Sequence, residues 1–129
     1  MSGGVDSTAC ALLLREHFKI EGFFMHLAQP DFARQKERVS SIAKKLDIKL
    51  TVIDLRHEFE QKVLNYFSSS YFGGCTPNPC VVCNREIKFG LFMEKILSHG
   101  MDKIATGHYA RITKNDDLYR LYSGVDPKK

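Results

Sequence analysis

No apolar run in the 129 residues approaches the roughly 20 needed for a membrane-spanning helix. No basic start followed by an apolar stretch marks a signal peptide. There is no internal repeat and no low-complexity tract, which argues against solenoids and linkers. No charge sign dominates. Lys and Arg number 19 against 15 Asp and Glu, leaving a formal +4 and a mild lean toward anionic partners. Cysteine is scarce, with four in all, yet Cys75, Cys80 and Cys83 crowd into one short stretch. Without an export signal, that crowding points to thiol or metal chemistry rather than a disulfide scaffold. Cys10 lies in a helical pattern and reads as a small core residue. Apolar content of 43% and charged content of 26% are ordinary, and the length suits one domain with a real core.

One local absence is informative. The opening loop Ser2-Gly3-Gly4-Val5-Asp6-Ser7 has no lysine to complete GxxxxGK[ST], which excludes the usual ATPase or GTPase loop. Its two glycines still let the backbone approach an anion closely. Ser2, Ser7 and Thr8 add hydroxyls, and the helix that follows offers free N–H groups and its positive dipole end. The hexapeptide resembles the pyrophosphate loop of enzymes that split ATP into AMP and pyrophosphate. A Gly-Gly turn with a Ser or Asp helix cap is the alternative. Such loops join a buried strand to a helix. Only Met1 precedes this one, so the first strand of the expected sheet is missing.

Val5, Ala9, Leu12 and Leu13 recur at helical spacing. Ile20 to Leu27 reads as a buried strand. Val39, Ile42, Ala43 and Leu46 mark a second helix, and Lys49 to Leu55 a second strand. Phe59, Val63, Tyr66 and Phe67 line a third helix, with Phe67 expected in the core. Gly73 to Pro79 is a loop. Phe89, Phe92, Met93, Ile96 and Leu97 line a fourth helix that Gly100 stops. Lys103 to Thr106 reads as a third short strand. Asn115-Asp116-Asp117, between Arg111-Ile112-Thr113 and Leu118 to Tyr122, predicts a hairpin. The alternation argues a parallel sheet covered on both faces, with ligand beyond the carboxyl ends of its strands. That rule gathers the opening loop, Met25 and Thr106-Gly107-His108.

In Thr76-Pro77-Asn78-Pro79-Cys80-Val81-Val82-Cys83-Asn84 two prolines stiffen the loop. Cys83 falls near a helix start, where the dipole favours thiolate. A proline-rich loop with two buried cysteines is the plainer account. The combination of SGGVDS, TPNPCxxCNxxIKFG and ATGHYAR (105–111) resembles the tRNA 2-thiouridylases, from Ser2 to about Lys128. It is weakest between Gln29 and Arg38, where this chain is short.

The resemblance implies an α/β, adenine-nucleotide-hydrolase-like (Rossmann-like) catalytic domain over 1–129, truncated at both ends. It implies a cytoplasmic enzyme that uses ATP with Mg²⁺. The C2 oxygen of a wobble uridine in tRNA is adenylated, and persulfide sulfur from a protein donor replaces it. Ser2, Gly3, Gly4, Val5, Asp6, Ser7, Met25 and Gly107 would touch the nucleotide. Cys83 matches the first active-site cysteine; a second, persulfide-carrying cysteine lies downstream in the family, outside this chain. Asn78, Pro79 and Cys80 match the segment that meets the base. Position 80 departs from the family, where an aspartate is usual, and a thiol accepts hydrogen bonds poorly.

Cys75, Cys80 and Cys83 give C-x4-C-x2-C, a spacing some iron–sulfur proteins use with a further ligand elsewhere. A redox-active Cys80–Cys83 dithiol competes with a bound cluster. His108 would steer phosphate or base, or simply bond its own loop. Arg85 and Lys88 would pair with tRNA phosphates and support a thiolate, or form a solvated helix face. Arg111, Lys114 and Arg120 are candidates for a basic strip. Met25 would ordinarily be core, and Tyr66, Tyr71 and Phe72 are aromatic enough to stack bases. Two rival readings remain: another ATP pyrophosphatase, such as an amidating ligase, and a non-catalytic thiol or iron–sulfur module. The sequence leaves the oligomeric state open.

Overall fold

A computed structural model describes residues 1–126. The final Pro127-Lys128-Lys129 of the expected domain lies outside the described residues. Gly4 is extended (φ −83°, ψ 165°) and releases the chain into α1 (Val5–Arg15), which carries Asp6 in its first turn and Arg15 in its last. Both charges suit the helix dipole. β1 (Gly22–His26), α2 (Phe32–Lys45) and β2 (Leu50–Asp54) follow. The strands pair in parallel from Gly22↔Leu50 to His26↔Asp54, as a helical crossover requires.

A continuous helical stretch covers 56–72: α3 (Arg56–Phe59), a π-wound turn Glu60–Leu64, and α4 (Asn65–Phe72). A second covers 79–98: α5 (Pro79–Val82), a π-wound segment Cys83–Leu91 kinked at Gly90, and α6 (Phe92–Ser98). Asn78 caps α5, its side chain accepting from Val81 N–H at 3.3 Å, and Pro79 fills the first helical position. His99 ends α6, with Gly100 beyond it at φ +84°. That is the glycine stop read from the sequence.

The strands' alternation separates two packed layers. On one face Phe23, Ile53 and Leu55 bury against Val63, Ile87 and Ile96 of the two long helical stretches. On the other, Phe24 lies under α2, whose Val39 and Ala43 are buried and whose Phe32 stacks on Phe24. The fold is α/β with a parallel sheet covered on both faces, as expected. No helix among the described residues is long and apolar enough to cross a membrane.

Three expectations need correction. Residues 103–106 form no strand. A strand exists only by laddering to a neighbour. Along the free edge of β1 the Met1 amino group donates to the Phe23 carbonyl and the Gln29 side chain donates to the Met25 carbonyl at 3.2 Å, and no strand pairs there among the described residues. Ile104 nevertheless packs against the core. Second, the apolar face of α1 is not covered: Val5, Leu12 and Leu13 are exposed and only Ala11 is buried. The two-stranded sheet does not extend beneath that helix. Third, Phe67 is on the surface, edge-on to Tyr71 at 4.9 Å. Its neighbour one turn back, Val63, takes the core position instead.

The hairpin forms as read: β3 (Ala110–Asn115) and β4 (Leu118–Ser123) join through Asp116-Asp117, with Asp116 at φ +54°. Every residue of both strands is exposed. Their register divides the expected basic strip. Arg111 and Arg120 share one face, whereas Lys114 lies on the other beside Tyr119.

Candidate active site

The opening loop is organised by its own hydroxyls. Ser7 Oγ and Thr8 Oγ1 donate to the Gly4 carbonyl at 3.1 and 2.9 Å. Ser2 Oγ is 3.1 Å from Ser7 Oγ, and the Ser2 and Gly4 N–H groups donate to Ser7 Oγ and Ser2 Oγ. Gly3 sits at φ +75°, a conformation that favours glycine. The loop therefore turns sharply on internal bonds while α1 begins beneath it.

Gly107 lies directly on that helix start. A β-carbon at Gly107 would stand 2.8 Å from both the carbonyl carbon of Asp6 and the amide nitrogen of Ser7. Two residues on, the Tyr109 hydroxyl donates to Asp6 Oδ1 at 2.9 Å. Two motifs a hundred residues apart in sequence thus meet, although the strand expected ahead of Gly107 does not form. Between them stands His108, exposed, its Nδ1 2.8 Å from Thr106 Oγ1. Its ring meets Phe89 at 5.5 Å. Phe89 belongs to the Cys83–Leu91 segment, so His108 bridges the loop region and the cysteine helix.

Cys83 is half-buried, and Cys80, one turn earlier, is exposed. Burial pushes the Cys83 thiol above its ordinary value, the Lys88 ammonium pulls it down, and Cys80 adds to the rise. Desolvation thus outweighs the helix start, which corrects the expectation of a resting thiolate. Lys88 supplies the opposing pull without reversing the rise. A direct check is the pH dependence of Cys83 alkylation by iodoacetamide, read by mass spectrometry. The midpoint is expected above the ordinary thiol value, and higher still in Lys88→Met, because removing a cation disfavours thiolate. A midpoint near neutrality in the parent protein would contradict this.

The remaining sequence candidates divide. Asn78 is held from two sides: its side chain caps α5, and its N–H donates to the Tyr66 hydroxyl at 3.4 Å. Pro79 opens that helix beside it. Arg85 is ion-paired with Glu86 at 2.8 Å, and Glu86 also meets Lys62 at 3.5 Å. That engagement supports the solvated-face reading of Arg85. Met25 is half-buried, pairs with Ile53 across the sheet, and packs on the core cluster. Cys75 is exposed, its thiol 3.9 Å from the Gly73 carbonyl. Among the described residues, no three His, Cys, Asp or Glu side chains stand together so as to hold a metal ion.

Sequence reading missed a polar group at the strand ends. Arg56 binds Asp54 through Nε at 3.0 and 3.1 Å and Nη2 at 2.7 Å, and its hydrogen bonds hold the Asp54 carboxyl down to about 2. His26 Nδ1 is 4.0 Å from the same carboxylate, its ring stacked 3.5 Å from Phe32. Asp54, Arg56, His57 and Glu60 border an open cleft of about 620 Å³. The only sequence signal was position: His26 and Asp54 end paired parallel strands.

Compared with known families, the chain matches the model described as the tRNA methyl transferase HUP domain over residues 1–129. The chain belongs to this family. Proteins named tRNA-specific 2-thiouridylase MnmA are similar to it along its whole length. That of Desulfotalea psychrophila is 60% identical, that of Syntrophomonas wolfei 50%, and that of Carboxydothermus hydrogenoformans 42%. The chain spans 38%, 38% and 40% of those relatives. Membership in the HUP-domain family accords with the parallel sheet and with the loop at its edge.

Proposed function

We propose that this chain carries the ATP-binding and sulfur-transfer groups of a tRNA-uridine 2-sulfurtransferase. The observation that carries this reading is the junction of Gly107 on Asp6 and Ser7, continued through His108 and Phe89 to the helix of Cys83. It unites a phosphate loop with a thiol. The name of the family model speaks of methyl transfer and the names of the relatives of thiolation. The cysteine-bearing helix, linked to the loop through Phe89, His108 and Gly107, favours thiolation.

In this reading Ser2 through Ser7 bind the β- and γ-phosphates of ATP, with Met25 and Gly107 toward the nucleoside. Asn78 and Pro79 present a tRNA uridine, with Cys80 beside them. Its C2 oxygen attacks the α-phosphorus and pyrophosphate leaves from the loop. The oxygen, a poor leaving group before, now departs as part of AMP. Cys83 attacks the inner sulfur of a cysteine persulfide brought by a protein donor. The outer sulfur passes to C2, and the new disulfide is reduced by an external dithiol. Mg²⁺ would take phosphate oxygens, and Asp6 is the one carboxylate of the loop. The cytoplasm, where tRNA is modified, is the proposed location.

The reading is tested with the full-length protein, unmodified tRNA, a persulfide donor and a dithiol. AMP, pyrophosphate and 2-thiouridine are expected in equal amounts. Sulfur incorporation that proceeds without ATP would refute it.

A further inference from the structure

The loop lacks the lysine that other phosphate loops supply, and α2 places a different cation beside it. A β-carbon built on Gly3 would stand 3.0 Å from Arg38 Nε and 3.0 Å from Val39 Cγ2. Val39 is fully buried, so this point of α2 is fixed against the loop by core packing. Arg38, next along the helix, lies over Gly3 itself with its side chain exposed. Arg15 bonds the Leu46 carbonyl, Arg56 Asp54, Arg85 Glu86 and Arg111 the Ser123 carbonyl, whereas among the described residues Arg34 and Arg120 share with Arg38 the lack of such a bond but do not approach Gly3. No ion pair or hydrogen bond of Arg38 occurs among the described residues. A guanidinium leaning on a tight glycine turn, beside hydroxyls and a helix N-terminus, is suited to a polyanion.

We propose that Arg38 is a pyrophosphate-binding residue. It flanks the loop on the α2 side, faces the β- and γ-phosphates, and stabilises the charge that gathers on them as the α-phosphorus is attacked. The glycine at position 3 is required twice, for its positive φ and to leave room for this side chain. The proposal rests on the phosphate-loop reading above but names a residue outside the loop. It also accounts for how a loop without lysine manages a highly charged leaving group.

The test uses full-length protein and inorganic pyrophosphate as the probe, read as inhibition of ATP/pyrophosphate exchange and by calorimetry, with AMP as the reference ligand. Arg38→Ala is expected to weaken pyrophosphate about 10- to 100-fold, the range of a charge-assisted hydrogen bond. AMP affinity stays within about twofold. Arg38→Lys recovers part of the loss, because it restores charge without the planar fork. Lys36→Ala, on the opposite side of α2, is expected to change neither. Unchanged pyrophosphate affinity in Arg38→Ala, or an equal loss in Lys36→Ala, overturns the assignment while leaving the loop reading intact. No pyrophosphate binding by the parent protein overturns both. Circular dichroism and AMP binding of each variant show that an observed loss is not unfolding.

Discussion

Gly107→Ala is expected to lower ATP/pyrophosphate exchange about a hundredfold, the order of loss that follows from displacing a bound reactant by about 1 Å. The reason is steric and specific. The added methyl would fall 2.8 Å from Asp6 C and from Ser7 N, and neither is a side-chain tip that can swing away. Both are backbone at the first turn of α1, where the loop's hydroxyls converge on the Gly4 carbonyl. Either α1 moves away from the 106–109 segment or that segment lifts off the loop. The Tyr109–Asp6 hydrogen bond then lengthens or breaks in both cases. Thermal stability should change far less than exchange, because α1 buries only Ala11. Exchange in Gly107→Ala equal to that of the parent would show that the contact is not part of the nucleotide site.

What the sequence revealed and what it withheld follow one physical division. The hairpin was legible because its turn chemistry is local: Asn115-Asp116-Asp117 supplies a residue that tolerates positive φ between two β-prone runs. The Gly100 stop and the α2 face of Val39 and Ala43 were legible for the same reason. The 103–106 segment was not, since a β-prone run becomes a strand only beside a partner. The two π-wound segments, Glu60–Leu64 and Cys83–Leu91, carry apolar residues at near-helical spacing and gave no signal of wider winding. At the site, SGGVDS and Gly107 were read individually, and their meeting was expected from a sheet rule whose third strand is absent; a close backbone contact between Gly107 and Asp6-Ser7 makes the junction instead. Arg38 was invisible because its relation to Gly3 depends on how α2 packs. The Cys83 acidity was misjudged because helix position is local, whereas desolvation comes from the whole surrounding core.

Cys83→Ser should separate the two half-reactions. Thiolation is expected to fall by at least about a thousandfold, the scale on which removing a nucleophile acts. ATP/pyrophosphate exchange in the presence of tRNA should remain within about threefold, since the phosphate contacts assigned to Ser2 through Ser7 do not involve the thiol. The substitution is nearly isosteric and removes no hydrogen bond recorded for the sulfur. Its hydroxyl remains half-buried beside Lys88 but cannot attack a persulfide at useful rates. The raised pKa of the thiol sharpens the test. A neutral resting thiol must lose its proton when the persulfide arrives, so thiolation by the parent should climb with pH while exchange stays comparatively flat. The climb should shift to higher pH in Lys88→Met, which removes a cation that favours the thiolate. Cys80→Ser provides the contrast: Cys80 is exposed and its thiol is one of the groups that raise Cys83, so the Cys83 midpoint should move down. If Cys80→Ser abolishes thiolation while Cys83→Ser retains it, the nucleophile is Cys80, and the roles of the two cysteines on α5 and its extension are reversed.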